Sequence, residues 1–274
     1  MEMVSAAKLK RYQNIMTKAM PFTQELEAML SRLTEDQTQD QSGETAKEQF
    51  THPFFIEREE KKSLLVVIAS DTGLCGSYNS DIIEQARDYL VKSEPAPMLV
   101  GIGKFAIRAL QRDGYDFQAT YSDVKTDQIE ETIKALTGRL QEAYLSGQVD
   151  AVYVIYSHFL SMTSFANTLE KILPLKKPEQ SESGSQPSAS YIYEPSPETI
   201  FEKLIPAFFE AKIRMIFLES YVSEHMARMN AMHQATKNAK EMIDSLVLVR
   251  NKLRQAIITK EIIEIVSGSR AQKH

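Results

Sequence analysis

The apolar positions in the last third of the chain repeat at helical spacing over an unusual length. Between Pro206 and Gly268 lie 61 residues with neither Gly nor Pro, a run that few globular helices reach and that would span roughly 90 Å at 1.5 Å per residue. Steps of four and three from Leu204 visit Phe208, Ala211, Met215, Leu218, Val222, His225, Met229, Met232, Thr236, Ala239, Ile243, Leu246, Arg250, Leu253 and Ile257. Thirteen of these sixteen positions are apolar, with His225, Thr236 and Arg250 the exceptions. A heptad-like spacing held for so long predicts a left-handed supercoil. The start of the chain follows the same rule through Leu9, Tyr12, Met16, Ala19, Thr23, Leu26, Leu30 and Leu33, failing only at Thr23. Pro21 is the one breaker there, and a kink is expected at it. A seam needs a partner. The two terminal helices are the simplest pair within one chain, antiparallel because a whole domain separates them; homodimerisation is the other reading of the same pattern.

Between the helices the period changes. The polar stretch Thr34 to Thr51 reads as a linker, and Lys176 to Ser190, rich in Ser, Pro and Glu, as a surface loop. The run Ser63-Leu-Leu-Val-Val-Ile-Ala69 predicts a strand buried on both faces. A loop over Ser70 to Asn79 leads to a helix at Ser80 to Val91, a strand at Met98 to Ile102, a helix at Lys104 to Arg112, a longer helix at Asp127 to Leu145 and a strand at Val149 to Tyr156. Strands alternating with helices predict an α/β layer with a largely parallel sheet. The expected architecture is an α/β domain over 51–198, flanked by an N-terminal helix and linker over 1–50 and a C-terminal helix over 199–274.

The formal charge of −5 hides a division along the chain. Residues 1–33 carry a net +2, residues 199–274 a net +4 and the middle a net −11. Basic ends therefore flank an acidic middle, and an acidic chain argues against nucleic acid as the main partner. The basic terminal segments could still meet an acidic protein surface. The single cysteine, Cys75, excludes an internal disulfide framework and a multi-cysteine zinc site. No apolar run approaches a membrane span, and the first residues lack the layout of a secretory signal. These features predict a soluble, cytoplasmic chain.

Candidate catalytic chemistry is sparse. Asp71-Thr-Gly-Leu-Cys-Gly-Ser-Tyr-Asn79 follows a buried strand like a phosphate-binding turn, but lacks the Gly-Lys-Ser/Thr ending and the third glycine of the nucleotide fingerprints. It reads better as a tight structural turn or contact loop. Cys75 has no neighbouring His or acid in sequence to activate it, and a small buried residue is expected. The five histidines show no metal spacing, and the methionines of the C-terminal helix read as packing residues. One feature resists a bland account. The run Ala256-Ile-Ile-Thr-Lys-Glu-Ile-Ile-Glu-Ile-Val266 is apolar on more than one face, so a single intramolecular helix could not cover it.

Several segments together resemble one family, the γ subunit of F-type ATP synthase. They are Ser223-Glu-His-Met-Ala-Arg-Met-Asn-Ala-Met232, Ala235-Thr-Lys-Asn-Ala239 and Asn251-Lys-Leu-Arg-Gln-Ala-Ile-Ile-Thr-Lys-Glu-Ile-Ile-Glu-Ile-Val-Ser-Gly268. Supporting matches are Ser70 to Asn79, His52-Pro53, Leu173-Pro-Leu175, Tyr193-Glu-Pro195 and the opening Met1-Glu-Met-Val-Ser-Ala-Ala-Lys-Leu9. The resemblance implies long terminal helices wound as an antiparallel coiled coil around an α/β domain. It further implies a non-catalytic rotor shaft without cofactors, coupling proton-driven rotation of a membrane ring to nucleotide turnover in a surrounding hexamer of α and β subunits.

By the same resemblance, Arg254, Gln255, Thr259 and Glu261 would hydrogen-bond loops of the catalytic subunits, and Arg228 and Met1 would lie in the region that affects coupling. The loop holding Asp71, Gly73 and Gly76 would lie near the ε subunit and the ring. The chain would be peripheral on the cytoplasmic face of the plasma membrane, held there indirectly through the ring. In the family further basic turns precede the opening motif, so this chain reads as a misassigned start, a lost segment or a shortened form. Other departures are Thr72 and Ser77 for the commoner Arg and Gly, Lys237 for Asp, Arg250 for Tyr and Lys260 for Gln. An oligomerising coiled-coil scaffold with an α/β head is the alternative from another class, and a nucleotide-binding enzyme using the Asp71 to Asn79 turn is a third.

Overall fold

Strand β1 (Ser63–Ile68) lies at the centre of the sheet, and its side chains divide by parity between two hydrophobic layers. Leu64, Val66 and Ile68 join one cluster, while Leu65 and Val67 join the other, as alternation across a strand requires. Strands β2 (Met98–Ile102) and β4 (Ala151–Ser161) flank β1 in parallel register. Strand β3 (Phe117–Tyr121) runs parallel outside β2, and β5 (Ser164–Leu173) antiparallel outside β4, giving the order β3-β2-β1-β4-β5. The computed structural model describes residues 1–39, 52–124, 127–161, 164–175, 194 and 196–271.

One face of the sheet is covered by helices α2 (Tyr78–Lys92) and α3 (Lys104–Arg112), whose Tyr78, Ile82, Ala86, Leu90, Ala106 and Leu110 pack with Leu65 and Val67. The other is covered by α4 (Ile129–Leu145) together with the terminal helices α1 (Glu2–Gln39) and α5 (Pro197–Ala271). The expected mixed α/β class with long flanking helices is what the chain forms. Strands β3 and β5 go beyond the expected elements, and β4 runs five residues past its expected end at Tyr156. Both additional strands are sheet edges. β3 is nowhere fully buried and β5 is buried only at Ile172 and Leu173, so neither needs the continuous apolar run that marks a central strand.

Helix α1 is continuous through Pro21 and extends to Gln39, into the stretch expected to be a linker. No Gly or Pro occurs between Thr34 and Gln39 to end it. The rest of that stretch, the loop Lys176 to Ser190, and Tyr193 and Pro195 of the Tyr-Glu-Pro match lie outside the described residues. The predicted seam of α1 is the face it buries: Leu9, Tyr12, Leu26, Leu30 and Leu33 are buried and Met16 and Ala19 pack against them. Its partner is α5, antiparallel, since Tyr12 lies against Tyr221 and His225 while Glu2 lies against His233. Helix α5 is buried on two faces between Phe201 and Arg228, one toward α1 and one toward the sheet and α4. From His233 to Ser269 every residue but the half-buried Asn251 is exposed. The apolar residues Ile243, Leu246, Leu253 and Ile257 thus continue the seam with no helix of this chain against them among the described residues. No helix among the described residues is long and apolar enough to cross a membrane.

Candidate functional site

The residues singled out in the sequence fall into two places along α5, a buried neck where the helix meets the α/β domain and an exposed tip. The neck begins with the loop after β1. Ser70 donates its N–H to Asn79 Oδ1 at 3.0 Å, and Asn79 Nδ2 donates to Cys75 Sγ at 3.1 Å, tying the two ends of the loop together. Leu74 and Gly76 take positive φ values of 64° and 62°. A Cβ on Gly76 would sit 3.9 Å from Ala231 Cβ of α5, so the turn meets α5 at that glycine. Asp71 Oδ1 accepts the N–H of Lys104 at 3.1 Å and fastens the loop to the start of α3. Cys75 is buried, and burial pushes its thiol up. It is the small packed residue the sequence suggested.

The same loop turns two consecutive carbonyls toward α5. Arg228 donates from Nη2 to Thr72 O at 2.8 Å and from Nε to Gly73 O at 3.2 Å. Its Nη1 donates to Glu224 Oε1 at 2.6 Å and lies 3.1 Å from His225 Nδ1. A guanidinium can only donate, so His225 Nδ1 is the acceptor and the imidazole is the neutral Nε2–H tautomer. All three side chains are buried, with Arg228 4%, His225 6% and Glu224 8% exposed. Burial, reinforced by the charges of Arg228 and Lys8, lowers the His225 pKa to about 3. Burial also raises the Glu224 carboxyl, while Arg228 opposes that shift.

A phosphate-binding turn presents N–H groups to an anion. This one presents carbonyls to a cation, and the cation is part of the chain itself. Two further bonds join α5 to the α/β domain nearby. The buried Tyr78 hydroxyl lies 3.0 Å from Ser220 Oγ, and Ser223 Oγ donates to Ser157 O of β4 at 3.1 Å. Of the residues named from sequence, Arg228, Gly73 and Gly76 come together here, with Asp71 bracing the loop. Glu224, His225, Thr72 and Ser220 were not among the predicted site residues. The signal available for Glu224 was its position one helical turn before Arg228, the spacing of a helical ion pair.

The tip is different in kind. Arg254, Gln255, Thr259 and Glu261 all lie exposed on the distal part of α5. The Thr259 hydroxyl donates to Gln255 O at 2.8 Å, within the helix. Arg254 and Glu261 border a shallow groove with Leu246, Leu253, Ile257 and Ile258. Met1 is exposed at the beginning of α1. The next residue, Glu2, reaches His233 at 3.0 Å, which sets the start of α1 beside α5 just beyond Arg228 and far from Arg254. Among the described residues no group of three or more His, Cys, Asp or Glu side chains is placed to hold a metal ion.

Comparison with known proteins places the chain in a family. The ATP synthase family model (ATP-synt) matches residues 1–271. The ATP synthase gamma chain of Pelotomaculum thermopropionicum is 36% identical over 271 residues, spanning 99% of this chain and 91% of that protein. The ATP synthase gamma chain of Anaeromyxobacter sp. is 37% identical over 276 residues, covering 100% of this chain and 92% of that one. Among solved structures, a chain from the central stalk and c-ring of the Tetrahymena thermophila mitochondrial ATP synthase superposes with a TM-score of 0.61 at 24% identity. It covers 86% of this chain and 97% of the other. A chain from the Euglena gracilis mitochondrial ATP synthase gives 0.59 at 18% identity, covering 99% and 94%. The structural matches speak to the fold, and the sequence matches, which run nearly end to end, show that the chain belongs to the ATP synthase gamma chain family.

Proposed function

We propose that this chain is the central shaft of a rotary ATP synthase, with the tip of α5 turning inside a hexamer of α and β subunits and the α/β head carried at the far end. It is a non-catalytic subunit, and catalysis belongs to the complex as a whole. The observation that carries the mechanical reading is the contrast along α5. Up to Arg228 the helix is packed on two faces, and beyond His233 it exposes Ile243, Leu246, Leu253, Ile257, Ile262 and Ile265. Apolar side chains spread over several faces of one helix need a partner that surrounds it, and a sleeve supplies that without fixing one orientation.

In this reading Arg254, Gln255, Thr259 and Glu261 supply polar contacts to loops of the catalytic subunits, and Arg228 and Met1 belong to the region governing coupling. The loop carrying Asp71, Gly73 and Gly76 faces the ε subunit and the proton ring. Attachment to the cytoplasmic face of the plasma membrane is indirect, through the ring. Reconstitution tests the proposal. The purified chain should show no ATPase activity of its own and should assemble with the catalytic hexamer; turnover by the isolated chain, or failure to assemble, overturns it. Replacing Arg254 and Gln255 together with Ala should weaken assembly or torque. Unaltered coupling of that variant in membrane vesicles would make the tip contacts dispensable.

A further inference from the structure

We infer that Glu224 is a positioning residue for force transfer: it holds the Arg228 guanidinium so that the shaft helix is locked to two consecutive carbonyls of the head loop, Thr72 and Gly73. The inference rests on the rotor reading given above and adds to it a specific joint. The contacts of α5 with the α/β domain lie up to Met232, and beyond it the helix is exposed among the described residues. A twist applied to the distal half of α5 therefore reaches the head through the segment up to Met232. Four polar ties join that segment to the loop after β1, to α2 and to β4: Glu219 to His158, Ser220 to Tyr78, Ser223 to Ser157, and Arg228 to Thr72 and Gly73. Arg228 is the one nearest the tip, about 12 Å along the helix from Ser220 at 1.5 Å per residue. It meets a torsional load first.

The geometry of the tie explains why a carboxylate is needed. The fork of Arg228 spans two successive carbonyls with Nη2 and Nε, which fixes its plane as a single-point ammonium could not. Carbonyls and a neutral imidazole carry no net charge, so the buried guanidinium needs an anion to be held there. Glu224 supplies it at 2.6 Å from Nη1, one helical turn back on the same helix. Being on α5, Glu224 does not itself cross to the head; it acts through Arg228. The loop it stabilises is also braced by Asp71 against α3 and by Asn79 against Ser70, so the grip on two carbonyls is passed to the sheet.

The test uses the complete synthase, reconstituted with wild-type chain, E224Q, R228Q or the double variant, and reads proton transport per ATP hydrolysed. If Glu224 acts through Arg228, each single variant loses several-fold in that ratio while hydrolysis persists, and the double variant is no worse than either single one. Full coupling in an assembled E224Q complex, or additive losses in the double variant, overturns the inference. A wild-type chain that fails to assemble would instead overturn the rotor reading, which keeps the two failures apart. Hydrogen exchange of the full chain gives a second measurement. In E224Q the amides of residues 71–77 should exchange faster with β1 and α4 unchanged, and unchanged loop protection counts against the inference. R228K serves where E224Q does not fold. It keeps the charge but cannot span both carbonyls and the carboxylate, so it should show the same local loosening, and wild-type protection in it likewise overturns the proposal.

Discussion

The ring of Tyr12 on α1 stacks on the imidazole of His225 on α5, with centroids 5.4 Å apart and planes inclined by 10°. His225 is one of the three polar exceptions in the C-terminal seam, and its burial makes it a packing residue that must stay uncharged. Its pKa of about 3 lies below the ordinary 6.5. Between those values the unfolded chain binds a proton that the folded chain does not, so stability rises with pH across the window and is lost as pH falls from 6.5 toward 3. The slope from this residue is about 1.4 kcal/mol per pH unit. Denaturant titrations of the wild-type chain and His225→Gln over that range should show a flatter pH dependence in the variant; parallel curves would mean the imidazole does not set it.

Leu30 and Met29 are neighbours on α1 with opposite fates, 1% and 45% exposed. Leu30→Ala should cost about 2–5 kcal/mol, the range for a large apolar side chain lost from a packed core, whereas Met29→Ala should stay within about 1 kcal/mol. Equal effects in chemical unfolding would contradict the assigned face of α1.

Gly103 joins β2 to α3 with φ +87°, and a Cβ there would approach Ala69 O to 2.1 Å. Gly103→Ala should therefore destabilise by at least about 2 kcal/mol, since both the left-handed backbone and the clash oppose it. Gly138 is exposed in the middle of α4, with nothing within 4 Å of a built Cβ. Gly138→Ala should raise stability by about 0.5–1 kcal/mol through helix propensity. Thermal unfolding of the two variants should move in opposite directions.

Leu253 and Ile257 are 59% and 58% exposed on the distal seam of α5. Changing both to Gln should leave the stability of the isolated chain within about 0.5 kcal/mol per site. The same change should reduce recovery of the assembled hexamer complex in co-purification. A drop in the stability of the isolated chain with normal assembly would reverse the roles assigned to the two halves of α5.

The seam at Leu9, Tyr12, Leu26, Leu30 and Leu33 was legible because a helix repeats its buried face every three to four residues. The Ser63 to Ala69 run was legible because a strand covered on both faces must be apolar throughout. Strands β3 and β5 were not, since an edge strand is half solvated and its mixed pattern in Phe117–Tyr121 and Ser164–Leu173 resembles a loop. Nor was the end of α1, because polar residues after Leu33 carry no periodic signal whether or not they remain helical.

The candidate site divided in the same manner. The exposed tip was visible in one dimension, as an apolar run too wide for a single partner helix. The neck was not, because Thr72 and Gly73 are more than 150 residues from Arg228 and offer it only backbone carbonyls, which every residue possesses. Periodicity and local motifs determined the helices, the central strands, the family resemblance and the excess apolar surface of α5, all of which follow from short-range chemistry. Only the tertiary structure decided that the glycine-containing turn receives a guanidinium and that His225 is held neutral against Tyr12. Those outcomes depend on which distant groups share a buried space, and burial of charge is settled only when every partner is in place.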